Sequence, residues 1–212
     1  MNAAKTSEKS ARSLMNDQQA LREADRAQAH RDELTQRISQ AIRHDGTIEP
    51  LKGLHFNRSS LPSECVHSVS IPAFCVIAEG SKKVLLGNVS YQYDPMHYLL
   101  ATIELPIVRQ ILEGSKAQPY LSLPLDLDPT LVGSLMVEAG DFSPQRGANL
   151  KAIDVSLLDV PLLDADYTCS FLVSTELSAA LRVCQAKVAH LTRIGYRETP
   201  CMILSFSNGC SN

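Results

Sequence analysis

The chain has 212 residues, of which 44% are hydrophobic and 20% are charged. These proportions are typical of a globular protein with one buried core and argue against global disorder. The formal net charge of −3 at pH 7 argues against a protein whose main task is to bind many nucleic-acid phosphates.

The N-terminal segment predicts a polar leader followed by one amphipathic helix. Residues 1–20 are polar and weakly patterned, which is typical of a disordered leader or a fraying helix start, and we assign residues 1–30 to that leader. From about Asp17 to His44 the chain has no Gly or Pro, and Leu34, Ile38 and Ile42 recur every four residues. This spacing places one apolar stripe on a helix.

The chain after residue 52 has the pattern of a β-rich domain. Short apolar or alternating runs are separated by turn residues at close intervals, which predicts a barrel or a jelly roll. The candidate strands are Gly53–Arg58, Ala73–Ala78, Lys82–Leu86, Val89–Tyr93, Tyr98–Glu104, Val108–Leu112 and Tyr120–Asp128.

The last of these strands has the clearest pattern. Four leucines alternate with other residues and should share one face of the strand: Leu121, Leu123, Leu125 and Leu127. Pro124 cannot donate to a β-ladder, so we expect this strand at a sheet edge, or with its proline on an unpaired side.

The stretch EGSKKVLLGNVSYQYDP, residues 79–95, admits three interpretations. A phosphate-binding loop is disfavoured because the glycine spacing does not match a P-loop or a dinucleotide fingerprint. Lys82 and Lys83 are adjacent, so one faces each way in a strand, and such a pair more often ends a strand in solvent than contacts DNA. Gly87-Asn88 between two apolar runs favours a β-hairpin.

Two further helices are expected in the C-terminal part. Asp128-Pro129 has the pattern of an N-cap and a first helical residue, for a helix that ends near Gly140. A second helix is consistent with Glu176–Arg193. With the N-terminal helix, these elements predict an α+β protein.

The sequence does not favour a metal site, a cofactor or catalysis. The six histidines include no H-x-H pair, and no nucleophile elbow of the form G-x-S-x-G is present. We therefore predict no metal, no cofactor and no enzymatic activity, with a stand-alone cupin-type enzyme or binding protein as the alternative. No apolar run is long enough to span a membrane, so we expect no membrane partner and a cytoplasmic location.

Several segments, in order, resemble the N-terminal domain of AraC-type transcriptional regulators. They are RDELTQRISQAI, LKGLHFNRSS, PAFCVIAEGSKKVLLGN, YQYDPMHYLLATIELP, PYLSLPLDLDP and LLDA, which together cover residues 31–165. The resemblance implies a cupin-like β-barrel that senses a small effector and dimerises, as a homodimer or as a heterodimer with related regulators. DNA contact in this family comes from a separate C-terminal domain.

Residues 166–212 depart from that pattern. They contain no recognisable helix-turn-helix, and four of the six cysteines lie there. We therefore treat these residues as a divergent tail of a truncated or frame-shifted regulator that reaches DNA only through a domain this chain lacks.

The effector-binding residues follow from the resemblance and from residue type. Polar and aromatic side chains on barrel strands are the expected contacts, and we name Tyr93, His97, Tyr98 and Glu104. Ordinary packing within the barrel is the competing explanation for each of them.

Overall fold

The architecture consists of one long helix followed by β-strands. The computed structural model describes residues 2–128, 130 and 152–158, with the side chains of the helix described from residue 18 onward. Helix α1 spans Asn2–Ala41. The strands are β1 (Gly46–Leu51), β2 (Leu54–Ser59), β3 (Val66–Ser70), β4 (Ala73–Glu79), β5 (Ser81–Leu86), β6 (Val89–Tyr93), β7 (His97–Ala101), β8 (Leu105–Glu113), β9 (Tyr120–Asp126) and β10 (Ile153–Leu157).

The strands form two antiparallel sheets. One sheet has the order β1-β2-β9-β4-β7-β10 and the other has the order β3-β8-β5-β6. Buried side chains from both sheets pack together, among them Ile77 and Tyr120 from the first and Val84 and Tyr93 from the second. The two sheets therefore face each other, and the observed fold is α+β with a predominantly β domain.

Helix α1 covers the outer face of the six-stranded sheet. The predicted stripe is buried, with Leu34, Ile38 and Ile42 each at most 5% exposed. The Thr35 hydroxyl also donates to the Ala78 carbonyl at 3.1 Å, which ties the helix to β4. Burial of one apolar stripe against a sheet is the main source of stability for a helix of this kind.

The helix begins earlier than the sequence predicts. It starts at Asn2, within the segment that we assigned to a disordered leader, residues 1–30. Ala27, inside that segment, is buried in the same cluster as the predicted stripe. The absence of Gly and Pro from residues 1–30 permits this longer helix, which agrees with the alternative of a helix start in this segment rather than with a disordered leader.

Strand β9 lies inside the six-stranded sheet, between β2 and β4. The expectation of an edge position is therefore wrong. Pro124 pairs with Cys75 of β4, whereas the register with β2 passes from Leu54↔Leu125 to Asn57↔Ser122 without a pair at the proline. This agrees with the second predicted alternative, in which Pro124, which has no backbone N–H, lies on an unpaired side of the strand.

Two glycines make the sharp connections around β5. Gly87 has φ +58° in the tight turn between β5 and β6, so the predicted hairpin is confirmed. Gly80, with φ +85°, joins β4 to β5, and a Cβ there would lie 2.5 Å from the Glu113 carbonyl oxygen. Only glycine fits this corner, where the chain passes from one sheet to the other.

Three strands, β1, β3 and β10, have no counterpart among the predicted strands. β1 and β3 lie at sheet edges and carry many exposed side chains, so neither has the apolar alternation of a half-buried strand. Conversely, β7 ends at Ala101, short of the predicted Glu104.

The predicted C-terminal helices lie outside the described residues. At the described start of the first, the Thr130 backbone N–H donates to Asp128 Oδ1 at 2.8 Å, as expected of an N-cap aspartate. Within the described part of the chain, no helix combines the length and the apolar character that a membrane span requires.

Candidate functional site

The candidate site is the inner face of the four-stranded sheet, where it meets the six-stranded sheet. Side chains alternate along a strand, and Val84 and Leu86 of β5 belong to the inner cluster, so Lys82 points inward with them. Lys82 pairs with Tyr93 of β6 on one side and with Ile111 of β8 on the other. Across these three strands, Lys82 therefore lies between a tyrosine and an isoleucine.

A second cation, Arg109, lies two residues from Ile111 on β8. Arg109 of β8 pairs with Val84, so it shares the inward face and is the diagonal neighbour of Lys82. Diagonal neighbours in antiparallel pairs lie about 7–8 Å apart, which is within reach of long side chains. Arg109 is exposed, so it lies at the rim of the interior and Lys82 lies deeper.

The six-stranded sheet supplies the opposite wall. Tyr120 is 2% exposed, and within the described residues its hydroxyl makes no hydrogen bond of good geometry. Ser122 follows on the same face of β9 and accepts a hydrogen bond from Asn57 Nδ2 at 3.1 Å. Polar atoms therefore reach the interior from both sheets.

Burial changes the pKa values of three side chains in this interior. It lowers the pKa of Lys82, and the charge of Arg109 lowers it further, whereas Cys75 acts in the opposite direction. Burial also raises the pKa of Tyr93 and of Tyr120, so both hydroxyls stay protonated at neutral pH. The interior thus contains two neutral tyrosine hydroxyl groups, with a partly buried lysine and an exposed arginine beside them.

The rest of the inner lining is apolar. Ile77, Leu99 and Ile153 of the six-stranded sheet are at most 4% exposed and pack in the same cluster as Tyr93. An apolar wall with a few convergent polar groups is the usual composition of a small-molecule site.

The four residues named from the sequence do not come together. Tyr93 lies between the sheets. Tyr98 points to the opposite face of the six-stranded sheet, in the cluster under α1, with its ring centroid 5.2 Å from that of Phe74. Successive side chains of β7 point to opposite faces of the sheet, so Tyr98 does not face the interior.

The other two named residues lie at the ends of β7. His97 Nδ1 is 2.8 Å from Asp94 Oδ1, in the turn between β6 and β7, and the same carboxylate accepts the Met96 backbone N–H at 2.8 Å. Glu104 is exposed after β7 has ended. His97 therefore has a role in the turn, and Glu104 faces solvent.

The sequence did not single out Lys82, Arg109 or Tyr120 for this site. The alternation of Lys82 and Lys83 already required one inward lysine, but not which one. That choice depends on the register of β5 against β6 and β8, which pairs residues distant in sequence.

A separate cleft of about 790 Å³ lies between α1 and the loops at one end of the sheets. Its lining includes Arg31 and Thr35 of α1, Gly80 and Glu113. None of the four sequence-predicted residues contributes to it, and its walls are loops and exposed helix. The inner face differs from this cleft in having two buried tyrosines beside an inward lysine of intermediate exposure.

In the described residues, no group of three or more His, Cys, Asp and Glu side chains is arranged to hold a metal ion. The sequence prediction that no metal binds remains a prediction.

Comparison with known proteins gives a family match and distant structural neighbours. A family model for the AraC-type transcriptional regulator N-terminus matches residues 50–180, more than half of the chain. No curated protein sequence matches significantly.

The structural neighbours include several structures of ToxT from Vibrio cholerae. A 1.65 Å structure is 14% identical with a TM-score of 0.44, over 72% of this chain and 60% of ToxT. A complex with (E)-4-(8-methylnaphthalen-1-yl)but-3-enoic acid is 14% identical with a TM-score of 0.45, over 68% and 58%. A complex with an unsaturated fatty acid is 13% identical with a TM-score of 0.45, over 77% and 60%. The chain thus matches less than two thirds of the length of ToxT.

Proposed function

Because the chain belongs to the family of AraC-type transcriptional regulator N-termini, we propose that it is the effector-sensing and dimerisation region of such a regulator. The family membership supports the class of protein, and the mixed polar and apolar composition of the inner face supports an effector site there. The observation that carries the proposal is the group of Lys82, Tyr93 and Tyr120 on the otherwise apolar inner face, where the two sheets meet.

The proposed mechanism uses the two-sheet architecture. An effector that enters at the rim beside Arg109 contacts side chains of both sheets at once. Its binding energy then favours the conformation in which the sheets are closest, and this shifts how attached or partner domains are arranged. The two sheets form a cupin-like barrel in this proposal, in a regulator of the cytoplasm.

Dimerisation and DNA binding belong to the proposal for the whole regulator. We expect a homodimer, or a heterodimer with related regulators, and DNA contact through a separate domain. Among the sequence-predicted contacts, the inward position of Tyr93 supports a direct role. Direct contacts from His97, Tyr98 and Glu104 remain predictions that substitution can test.

The experiment is a thermal-shift screen of the purified chain with small molecules of negative, neutral and positive charge. We expect at least one chemical class to raise the melting temperature, because a ligand that binds the native state stabilises it. Val84→Phe, which fills the inner face beside Lys82, should abolish that shift.

Val76→Phe is the matched control. Val76 is also buried, but in the cluster under α1, so this variant should lose a similar amount of stability and keep the ligand shift. If no class of compound raises the melting temperature, or if both variants respond alike, the proposed function is contradicted.

A further inference from the structure

Helix α1 has a long exposed section before it reaches the sheet. It spans Asn2–Ala41, which is about 60 Å at the usual rise of an α-helix. Residues 18–26 are all exposed, and Ala27 is the first buried residue among the helix side chains that the structure describes. Leu21, in the middle of the helix, is 63% exposed. Residues 18–26 therefore offer a helical surface to a partner.

This surface continues into the cleft beside α1. Residues three and four apart share one side of a helix, and that spacing connects five residues of α1: Leu21, Ala24, Gln28, Arg31 and Thr35. The last three line the cleft of about 790 Å³ between α1 and the loops at one end of the sheets. A second helix that lies along Leu21 and Ala24 would therefore enter the cleft.

The walls of the cleft are mainly acidic. Among the described residues that line it, four are acidic and one, Arg31, is basic. The four acids come from separate elements: Asp32 from α1, Glu79 from β4, Asp94 from the turn between β6 and β7, and Glu113 from β8. Because these carboxylates surround one volume, the cleft favours a positively charged segment over a neutral or acidic one.

The first turns of α1 have the opposite charge. Lys5, Lys9 and Arg12 follow one another at spacings of four and three residues, which places them on one side of the helix. Glu8 is the one acid in residues 2–16, so this segment has a formal charge of three minus one, or +2. It is short, helical and basic, as the cleft requires of an occupant.

We propose that the chain forms a two-fold symmetric dimer in which the first turns of α1 of each copy lie in the acidic cleft of the other. This inference rests on the dimerisation part of the proposed function and names the surface that dimerisation uses. In an antiparallel helix pair centred on Leu21, residues 28–35 of one helix lie beside residues 7–14 of the other, because both ranges are equally far from Leu21. Lys9 and Arg12 belong to the second range. The same contact then occurs twice, as in an isologous dimer.

The centre of this helix pair is apolar. Leu21 of each copy lies against Leu21 of the other and beside Ala24, whose small side chain lets the two helices approach closely. The pairing removes exposed apolar surface from water, and the charged contacts at both ends fix the antiparallel orientation. Since the contacts at the ends are charged, the dimer should dissociate more readily at high salt.

The test measures the dimer dissociation constant of the full chain by sedimentation equilibrium at low salt. Lys5→Glu combined with Lys9→Glu and Arg12→Glu gives a variant with acidic first turns. Glu79→Lys combined with Glu113→Lys gives a variant with a basic cleft. Each should raise the Kd of the dimer at least about tenfold, because attraction is replaced by repulsion.

A mixture of the two charge variants is the strongest arm of the test. The acidic first turns of one variant match the basic cleft of the other, and the basic first turns of the second match the acidic cleft of the first. We therefore expect the mixture to form heterodimers although neither variant dimerises alone. Such a recovery also shows that both variants are folded.

Leu21→Glu tests the apolar centre, and Arg22→Glu is the matched control. Arg22 is adjacent and also exposed, but lies on another side of the helix from the stripe of Leu21 and Ala24. Leu21→Glu should raise the Kd at least about tenfold and Arg22→Glu by less than about twofold. Arg22→Glu changes the net charge more, so an effect of net charge alone would give the opposite order.

The outcomes separate this interface from the rest of the proposed function. If the wild type is a monomer at every concentration, dimerisation and this interface are both wrong. If the wild type dimerises and the charge variants dimerise equally well, dimerisation stands and this interface is wrong. If circular dichroism shows both charge variants folded and their mixture forms no dimer, the pairing of the first turns with the cleft is wrong. Effector binding at the inner face is measured independently by the thermal-shift screen.

Discussion

The two faces of the six-stranded sheet differ in chemistry, although the same strands build both. The face under α1 is filled by aliphatic and aromatic side chains, such as Phe74, Leu123 and Leu125, each completely buried. The inner face, which meets the four-stranded sheet, combines apolar residues with buried tyrosines and an inward lysine on the opposing strand. This difference in composition is the reason for proposing that the inner face binds an effector.

The largest effect is expected on the face under α1. Phe74→Ala should lower the free energy of unfolding by about 3–5 kcal/mol, because it leaves a large cavity in a completely buried cluster. Urea denaturation monitored by circular dichroism measures this. A loss below about 1 kcal/mol would show that this face is not the main source of stability.

The corner that joins the two sheets is the next target. Gly80→Ala should cost at least about 2 kcal/mol, because a positive φ is combined with contact with the Glu113 carbonyl. Gly87→Ala, the control, also has a positive φ, of +58°, but no atom lies within 4 Å of the new Cβ, so it should cost about 1 kcal/mol. Equal losses of unfolding free energy in urea would contradict the close approach at Gly80.

On the inner face, we expect the Lys82→Met variant to be more stable than the wild type by an amount that depends on pH. Lys82→Met should stabilise the ligand-free protein by on the order of 1 kcal/mol at pH 7. Burial holds the pKa of Lys82 below its unfolded value of 10.5, so between the two pKa values the unfolded state binds more protons at this site. Wild-type stability therefore rises with pH in that window, and the deficit relative to the variant should shrink as the pH approaches 10.5.

Urea denaturation of both proteins at several pH values from 7 to about 10 would measure that difference, since the unfolded lysine titrates near the upper limit. Effects common to both proteins, such as the ionisation of tyrosines, cancel in the comparison. A difference that is constant or grows with pH would show that Lys82 is paired in the folded state.

The smallest expected effect is a difference in ligand affinity between Tyr93→Phe and Tyr98→Phe, two residues that the sequence could not distinguish. Tyr93→Phe should weaken the binding of a compound identified by the thermal-shift screen about fivefold, which corresponds to one neutral hydrogen bond. Tyr98→Phe should leave affinity unchanged, because its ring lies under α1. Isothermal titration calorimetry gives both constants, and an effect of Tyr98→Phe alone would place the site on the wrong face.

Much of the fold could be predicted from local patterns. The stripe of Leu34, Ile38 and Ile42 faces the core as its period requires, and the Gly87-Asn88 turn lies in its hairpin. The alternating leucines of β9 are buried on one face, but Tyr120 and Ser122 on the other face are buried too, since the strand is central. An alternating pattern cannot distinguish a polar group that faces solvent from one that faces a second sheet.

The candidate site was less predictable, because it depends on contacts between strands. Residue type suggested Tyr93 and Tyr98 equally, and only the placement of β6 and β7 in two sheets separates them. Arg109 and Tyr120 reach the site from strands that follow Lys82 by more than twenty residues. Their shared location depends on the register of β8 with β5 and on the Gly80 corner beside Tyr120, which local sequence does not encode.

The most direct test of the central claim is a spectrum of the tyrosine rings with and without a compound that the thermal-shift screen identifies. The chain has six tyrosines and no tryptophan, so a two-dimensional ¹H–¹³C spectrum of tyrosine-labelled protein is simple, and Tyr→Phe variants assign its signals. On addition of that compound we predict shifts for Tyr93 and Tyr120 and an unchanged signal for Tyr98. A shift of Tyr98 with Tyr93 and Tyr120 unchanged would contradict recognition at the inner face.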